Sequence, residues 1–154
     1  MGKKQESYNN VHIKNRKARF EYQLDDFFIA GMVLTGTEIK SIRMGKVNLQ
    51  DAYCVIEGNE LWVLSMHISP YEQANHYNHE ETRKRKLLLN KSELNKLQKL
   101  TKEKGITIVP TRLFINDRGL AKVEIATAKG KKLYDKRQDI RKKDEEREIR
   151  RLRL

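Results

Sequence analysis

Residues 53–64 read YCVIEGNELWVL, two runs of mostly apolar residues around a short polar centre. The Gly58-Asn59 pair in that centre suits a tight turn with positive φ. Runs of four residues rich in Val, Ile, Leu and aromatic side chains on either side of such a turn predict a β-hairpin.

A second hairpin is predicted over residues 106–115 and 120–128, which flank the turn sequence NDRG at residues 116–119. Within its second strand, residues 122–125 read KVEI, so charged and apolar side chains alternate. Successive side chains of a strand point to opposite faces. One face of this strand is therefore predicted to be buried and the other charged.

Three further segments carry weaker signals. Residues 31–42 are rich in Val, Leu, Ile and Thr, which favours a long strand, and residues 19–24 favour a shorter one. Asp25 and Asp26 suit a helix N-terminus, so a short helix is predicted over residues 25–30.

The clearest helix is predicted over residues 92–104, where leucine recurs at every third position. Asn90 with Glu93 resembles a capping box at its start, and Gly105 stands where a glycine would end it. A single turn is predicted at residues 48–51.

Many strands with few helices predict a mainly β fold. The expected architecture is a small closed barrel of the oligonucleotide-binding type with a few peripheral helices. From residue 129 onward apolar residues are sparse and form no continuous stripe. Residues 129–154 are therefore predicted to be a basic C-terminal tail, disordered when free and helical when something supports it.

Basic charge is unevenly distributed along the 154 residues, whose net charge is +12. Residues 1–20 carry +5, residues 21–82 carry −7, residues 83–128 carry +8 and residues 129–154 carry +6. Such a cationic footprint suits a polyanion, with nucleic acid ahead of an anionic membrane. We therefore divide the chain into an RNA-binding barrel domain, residues 1–128, and the tail; the first ten residues are expected to be disordered.

Other classes of function lack support in the sequence. Cys54 is the single cysteine, which argues against a disulfide or a thiolate zinc site and fits a cytoplasmic location. No secretory signal or membrane-spanning run is recognised. His76 and His79 lie near acidic residues, but without further ligands they do not predict a metal site. With no phosphate-binding loop or catalytic triad, neither an enzyme nor a cofactor is predicted.

Residues 83–90 read RKRKLLLN, four cations followed by a segment apolar enough to be a buried strand. As a strand, this segment would place Arg83 and Arg85 on one face, together with two leucines. The other face would combine phosphate-binding charge, an apolar surface and an amide able to read a base edge: Lys84, Lys86, Leu88 and Asn90. The alternative is a core strand with a solvated basic lead-in and Asn90 as a helix cap.

Five blocks stand out by their order and spacing. They are NRKAR at 15–19, TGTEIKSIR at 35–43, GKVNL at 45–49 followed by Asp51 and Tyr53, RKLLLNK at 85–91 and AKGKKLYDKR at 128–137. Together they resemble the SmpB family, the SsrA-binding proteins of bacteria. The resemblance covers the chain from about residue 11 to the end.

The resemblance implies an oligonucleotide-binding barrel that is not an enzyme. Members of that family bind the transfer-RNA-like domain of transfer-messenger RNA. With elongation factor Tu they deliver it to ribosomes stalled on messages without a stop codon, a process called trans-translation that tags the incomplete nascent chain. The tail of the family enters the decoding centre and the empty messenger channel.

The same resemblance, together with the basic strand, implies the site residues. The RNA-binding set is Asn15, Arg16, Lys17, Glu38, Lys40, Arg43, Lys46, Asn48, Arg83, Arg85, Lys86, Leu88 and Asn90. The set for the decoding centre is Gly130, Lys131, Lys132, Tyr134, Asp135, Lys136 and Arg137. Three positions depart from the family pattern: Ile29 stands where many members have an acidic residue, Glu80 stands where a proline is common, and Tyr134 replaces a frequent histidine.

Two alternatives remain open. A general cationic barrel for single-stranded RNA would show little preference among RNAs and a steep dependence on salt. An RNA-processing enzyme would use Glu38 and a histidine, and it would turn RNA over.

Overall fold

The computed structural model describes residues 11–130 and 133–152. Within them the strands are β1 (His12–Lys14), β2 (Tyr22–Met32), β3 (Val47–Asn48), β4 (Tyr53–Glu57), β5 (Glu60–Leu64), β6 (His67–Ile68), β7 (Arg85–Leu88), β8 (Thr107–Ile115) and β9 (Ala121–Gly130). The α-helices are α1 (Arg16–Glu21), α2 (Gly36–Arg43), α3 (Lys91–Leu100) and α4 (Leu133–Leu152), and Glu72–Tyr77 forms a 3-10 helix.

Seven of the strands form one antiparallel sheet that closes into a ring. Its order is β1-β8-β4-β5-β7-β2-β9, and β8 also pairs with β9, which closes the strands from β8 to β9 into a ring with β1 attached to β8. Strands β3 and β6 form a separate small pair. Closure satisfies backbone groups that an open sheet would leave at its edges. The ring with its few helices confirms the predicted mainly β fold of oligonucleotide-binding type.

Both predicted hairpins are present. Tyr53 lies opposite Leu64 in the β4–β5 pair, and the turn residues Gly58 and Asn59 have φ values of 54° and 63°. Strands β8 and β9 pair along almost their whole length. The helix predicted after residue 90 is α3, which is shorter at its C-terminal end than the prediction.

The long strand predicted over residues 31–42 was wrong. Strand β2 ends at Met32, and α2 takes up most of the remaining segment. Thr35 and Glu38 form a complete capping box at the start of α2. This local signal, in which two side chains satisfy orphan backbone N–H groups, outweighed the β-propensity of the segment.

The short helix predicted over residues 25–30 was also wrong, because this segment lies inside β2. The pairing of β2 with β9 shifts register between Leu24 and Phe27, as in a β-bulge. There the backbone N–H of Asp26 donates to Thr127 Oγ1 at 3.0 Å. The irregularity accommodates two aspartates in a strand that would otherwise exclude them.

Two smaller predictions were partly right. The weak strand predicted over residues 19–24 begins only at Tyr22, since α1 extends to Glu21. The turn predicted at residues 48–51 is present at residues 50–51, directly after β3.

The core lies inside the ring and reaches into two helices. Fully buried side chains from the sheet include Leu61, Val63, Leu113 and Ile125. The α2 residue Ile42 and the α3 residue Leu97, each 0% exposed, belong to the same cluster. Burying one such side chain contributes about 1.5–3 kcal/mol. These two residues therefore hold α2 and α3 against the sheet.

The predicted tail contains the helix α4. Its residues Ile140 and Ile149 are about half exposed, at 47% and 50%. Lys143 Nζ lies 5.6 Å from the ring centroid of Phe20 in α1. Residues 1–10 lie outside the described residues, so their disorder stays a prediction. None of the described helices combines the length and apolar character that a membrane span requires.

Candidate nucleic-acid interface

Strand β7 presents alternate residues to opposite sides of the ring, as predicted. Arg85 is 0% and Leu87 2% exposed, whereas Leu88 is 50% exposed. Lys86 lies between them on the outer side and is partly exposed. The outer side of β7 is therefore the surface available to a ligand.

A buried ion cluster lies on the inner side of β7. Arg85 Nε donates to Glu38 Oε2, and Arg83 Nη2 donates to Glu38 Oε1 at 2.6 Å. Arg85 also donates to the Met66 carbonyl at 2.7 Å and to the Glu81 carbonyl at 3.0 Å. The cluster therefore joins β7 to α2 and to the segment that follows β5.

Both members of the buried pair are charged at neutral pH. Burial alone would raise the pKa of Glu38, but hydrogen bonds from Arg83, from the Thr35 backbone and from Arg85 lower it from 4.5 to about 2. Burial lowers the pKa of Arg85, and the neighbouring Glu38 carboxylate opposes that change. With no exposed surface, Glu38 and Arg85 cannot touch RNA, so we remove both from the proposed RNA-binding set.

Asn15 is also removed from that set. It is 2% exposed, and its Oδ1 accepts from the Ala18 backbone N–H at 3.2 Å, which caps α1. Its Nδ2 donates to the carbonyls of Leu49 and Pro110 at 3.0 and 2.8 Å. An Asn directly before a helical segment is a frequent N-cap, so the sequence did carry a signal for this structural role.

Asn90 combines the two roles that the sequence left open. Its Oδ1 accepts from the Glu93 backbone N–H and from Ser92 Oγ, both at 2.8 Å, and so caps α3. The residue is nevertheless exposed. Because both bonds use Oδ1, the Nδ2 amide group is available to donate to a base edge or a sugar.

A cleft of about 360 Å³ lies beside Leu88. Gly31, Leu120 and Lys122 line it, and Leu120 is 54% exposed. A side chain at Gly31 would narrow the cleft, because a Cβ there would lie 3.5 Å from Leu88 Cβ. Exposed apolar side chains beside cations suit unstacked bases and their phosphates.

The sequence reasoning missed Gly31, Leu120 and Lys122 as parts of this cleft. The alternation of residues 122–125 could have identified Lys122 as outward-facing. No sequence signal places the β8–β9 turn, which contributes Leu120, near β7, because that position depends on β7 and β9 pairing with the two sides of β2.

Other predicted RNA-binding residues lie on the surface and already have protein partners. Their contacts are Lys17 with Asp51 at 3.3 Å, Lys46 with Glu72 at 3.8 Å, Lys86 with Glu60 at 3.2 Å, Lys40 over the Tyr71 ring at 5.3 Å, and Asn48 Oδ1 with the Gln50 N–H at 2.9 Å. Exposed ion pairs of this kind are each worth about 0–1 kcal/mol, so a phosphate can replace the carboxylate.

The predicted set does not form one patch. Leu88 and Arg43 line the same cleft. Arg16 is exposed on α1, and its neighbour Lys17 lines a second, polar cleft of about 320 Å³ together with Tyr53. Arg83 is 35% exposed at its side chain but is bound to Glu38.

The residues predicted for the decoding centre lie at the start of the tail. Gly130 is the last residue of β9, and Arg137 is exposed on α4. Tyr134, Asp135 and Lys136 fall within the first turn of α4. Lys131 and Lys132 lie outside the described residues.

The described part of the chain contains no group of three or more His, Cys, Asp or Glu side chains placed to hold a metal ion. Both ring nitrogens of His79 have partners, the Thr37 hydroxyl and the Ile68 carbonyl, each at 2.9 Å. Glu38, which the enzyme alternative needs, is bound by two arginines.

Comparisons with known proteins agree with this description. A model of the SmpB protein family matches residues 12–153. SsrA-binding proteins of Cytophaga hutchinsonii and Parabacteroides distasonis are each 55% identical to the chain, covering 97% and 95% of both partners in the alignment. A solved structure described as "tmRNA-SmpB: a journey to the center of the bacterial ribosome" is 41% identical, with a TM-score of 0.69, over 80% of this chain and 86% of that one.

Proposed function

The chain belongs to the SmpB family, and on that premise we propose that it binds transfer-messenger RNA and delivers it to stalled ribosomes for trans-translation. The relatives are named for binding SsrA RNA, and the similar solved structure is described by transfer-messenger RNA and the ribosome. Membership of this RNA-binding family also confirms the prediction that the chain is not an enzyme.

The observation that carries the proposal is the outer side of β7 with its cleft. Leu88, half exposed, stands beside the cleft, and the exposed amide of Asn90 follows it. Single-stranded and loop RNA is recognised by apolar contact with unstacked bases and by hydrogen bonds to base edges. The surface therefore offers base contacts as well as charge, which a purely electrostatic binder lacks.

The proposed RNA-binding set differs from the predicted one at six residues: Asn15, Glu38 and Arg85 are removed, and Gly31, Leu120 and Lys122 are added. It retains the exposed or partly exposed residues and gains those that line the cleft: Arg16, Lys17, Lys40, Arg43, Lys46, Asn48, Arg83, Lys86, Leu88, Asn90, Gly31, Leu120 and Lys122.

The tail has a separate role in the proposal. Gly130, Asp135, Lys136 and Arg137, with their neighbours, act in the decoding centre and in the empty messenger channel. Helix α4 spans 20 residues, which at 1.5 Å per residue is about 30 Å, long enough to probe such a channel. Elongation factor Tu binds as a partner through the complex with transfer-messenger RNA. Trans-translation takes place in the cytoplasm.

The first test is a binding measurement at one salt concentration. The protein should bind transfer-messenger RNA at least 10-fold more tightly than an unstructured RNA of equal length, because shape and base contacts add to charge. Equal affinities would favour the general cationic binder instead. The RNA that copurifies with the protein should be transfer-messenger RNA by sequencing.

A pair of variants then tests the β7 surface. Leu88→Ser should weaken this binding about 10-fold, whereas Ile149→Ser in α4 should leave it unchanged. The two side chains are matched because each is 50% exposed. Equal losses in both variants, or none in either, would place the recognition surface elsewhere.

A further inference from the structure

The lysines of α3 and of the turn after it form a cluster of exposed cations. The five are Lys91, Lys96, Lys99, Lys102 and Lys104, and all are exposed. Within the described residues none of these five has an ion-pair partner. By contrast, lysines 17, 46, 84 and 86, whose side chains are 38–44% exposed, each contact a carboxylate.

The absence of counter-charge has a structural cause. Glu103 is the acidic residue beside these lysines, and it pairs with Lys129 of β9 at 3.4 Å. Glu93 lies in the first turn of α3, where its charge complements the positive end of the helix dipole. The lysines at the other end of α3 therefore have no carboxylate at ion-pair distance within the described residues.

A groove of about 440 Å³ lies beside these cations. Its lining is Ile56, Asn95, Gln98, Lys99, Thr101 and Lys102. Gln98 Nε2 donates to Asn59 Oδ1 at 3.1 Å, which ties α3 to the turn of the β4–β5 hairpin. The lining contains two ammonium groups, no carboxylate and no aromatic ring.

We propose that this groove is a second RNA contact and that its ligand is the phosphodiester backbone. Ammonium groups and amides donate to phosphate oxygens. The groove has Ile56 as its single apolar lining residue, whereas the cleft beside Leu88 has several. The contact positions RNA without reading its sequence, unlike the cleft beside Leu88.

The proposal rests on the proposed function only in taking RNA as the partner. Two RNAs can supply the same backbone: transfer-messenger RNA itself, or ribosomal RNA after delivery. Helix α3 begins at Lys91, directly after Asn90 of the RNA-binding surface on the outer side of β7. Its ten residues, at 1.5 Å per residue, lead about 15 Å away from that RNA-binding surface. This continuity is compatible with either source.

The test compares two double variants of the full chain that each remove two positive charges. Lys99→Gln/Lys102→Gln neutralises the groove. Lys96→Gln/Lys104→Gln neutralises two exposed cations of the same cluster that do not line the groove. Lys99→Arg/Lys102→Arg keeps the charge and controls for side-chain shape. Thermal melting of all three reports folding.

Binding is measured in two arms: the protein with transfer-messenger RNA, and the preformed protein–RNA complex with ribosomes. Each lost phosphate contact lowers the slope of log K against log salt by about 0.9, which is about 5-fold in affinity at 0.15 M salt. The groove variant should therefore lose about 25-fold in one arm, with the arginine variant near wild type.

A loss in the first arm assigns the backbone to transfer-messenger RNA, and a loss in the second arm alone assigns it to ribosomal RNA. Losses no larger than those of the Lys96/Lys104 variant in both arms would overturn the proposal. Failure of the wild-type protein to prefer transfer-messenger RNA would instead refute the proposed function, which keeps the two failures distinct.

Discussion

Arg85 and Lys86 are neighbours in one basic run, yet they lie in opposite environments. Arg85 is enclosed on the inner side of β7, where it contacts Glu38 and two backbone carbonyls. Lys86 stands on the outer side, with an exposed partner in Glu60. A run of positive charge in a sequence therefore contains residues that hold the fold together and residues that are free to bind a ligand.

Asn15 and Asn90 show the same contrast between an enclosed and an exposed residue. Asn15 and Asn90 each cap a helix through Oδ1. The amide of Asn15 is consumed by two buried carbonyls, whereas Asn90 is exposed. A residue that makes one structural bond keeps a further function only where its remaining polar atoms reach solvent.

The largest expected effect is on the inner side of β7. Arg85→Met leaves Glu38 buried beside Arg83 alone, and removal of one partner of a buried pair costs about 3–5 kcal/mol of unfolding free energy. Chemical denaturation monitored by circular dichroism measures this loss of unfolding free energy. The double variant Glu38→Leu/Arg85→Met should be less destabilised than the sum of the two single changes. Strict additivity would show that the two charges are not coupled.

The second effect is the pH dependence of the same cluster. The pKa of Glu38 is lowered to about 2 in the folded protein from 4.5. The contribution of the Glu38 carboxylate to the unfolding free energy is therefore complete above pH 4.5 and is lost as the pH falls from there towards 2. The difference between the folded and unfolded pKa values corresponds to about 3 kcal/mol of unfolding free energy. Denaturation curves between pH 7 and 3 should show the loss for the wild type and not for Glu38→Gln. Parallel pH profiles would contradict the lowered pKa.

The third effect separates the two roles of Asn90. Asn90→Ser keeps a side-chain oxygen that caps α3, so the unfolding free energy should change by less than about 0.5 kcal/mol. It removes the amide donor, which should weaken binding to transfer-messenger RNA by about 1–2 kcal/mol, or 5- to 30-fold. Gel shift measures the RNA affinity, and thermal melting measures the stability of the fold. A large drop in melting temperature with unchanged affinity would leave Asn90 as a cap only.

The smallest expected effect on RNA affinity belongs to the outer side of β7. Lys86→Gln removes an exposed ion pair with Glu60, so the unfolding free energy should change by less than about 1 kcal/mol. If Lys86 exchanges Glu60 for a phosphate, RNA affinity should fall about 5-fold at 0.15 M salt and the salt slope by about 0.9. Glu60→Gln is the matched control and should raise the affinity. An unchanged slope in Lys86→Gln would remove this residue from the RNA-binding set.

Local signals in the sequence were sufficient for the hairpins and for α3. The Gly58-Asn59 turn and the cap at Asn90 depend on residues within four positions of each other, and both are present. The helix predicted over residues 25–30 failed because the pairing of β2 with β9 stabilises that segment, and its partners lie about 100 positions away in the chain. The strand predicted over residues 31–42 failed because its capping box was overlooked.

The sequence alone was enough to establish the alternation of β7, the separation of charge and the family motifs, since periodicity, composition and spacing are properties of the linear chain. Which cations are enclosed and which are available could be read only from the folded molecule. Glu38 meets Arg85 across 47 positions, and Leu88 and Leu120 line one cleft only because β7 and β9 pair with the two sides of β2. Burial follows from such long-range packing, and burial determines whether a charge stabilises the fold or remains free for a phosphate.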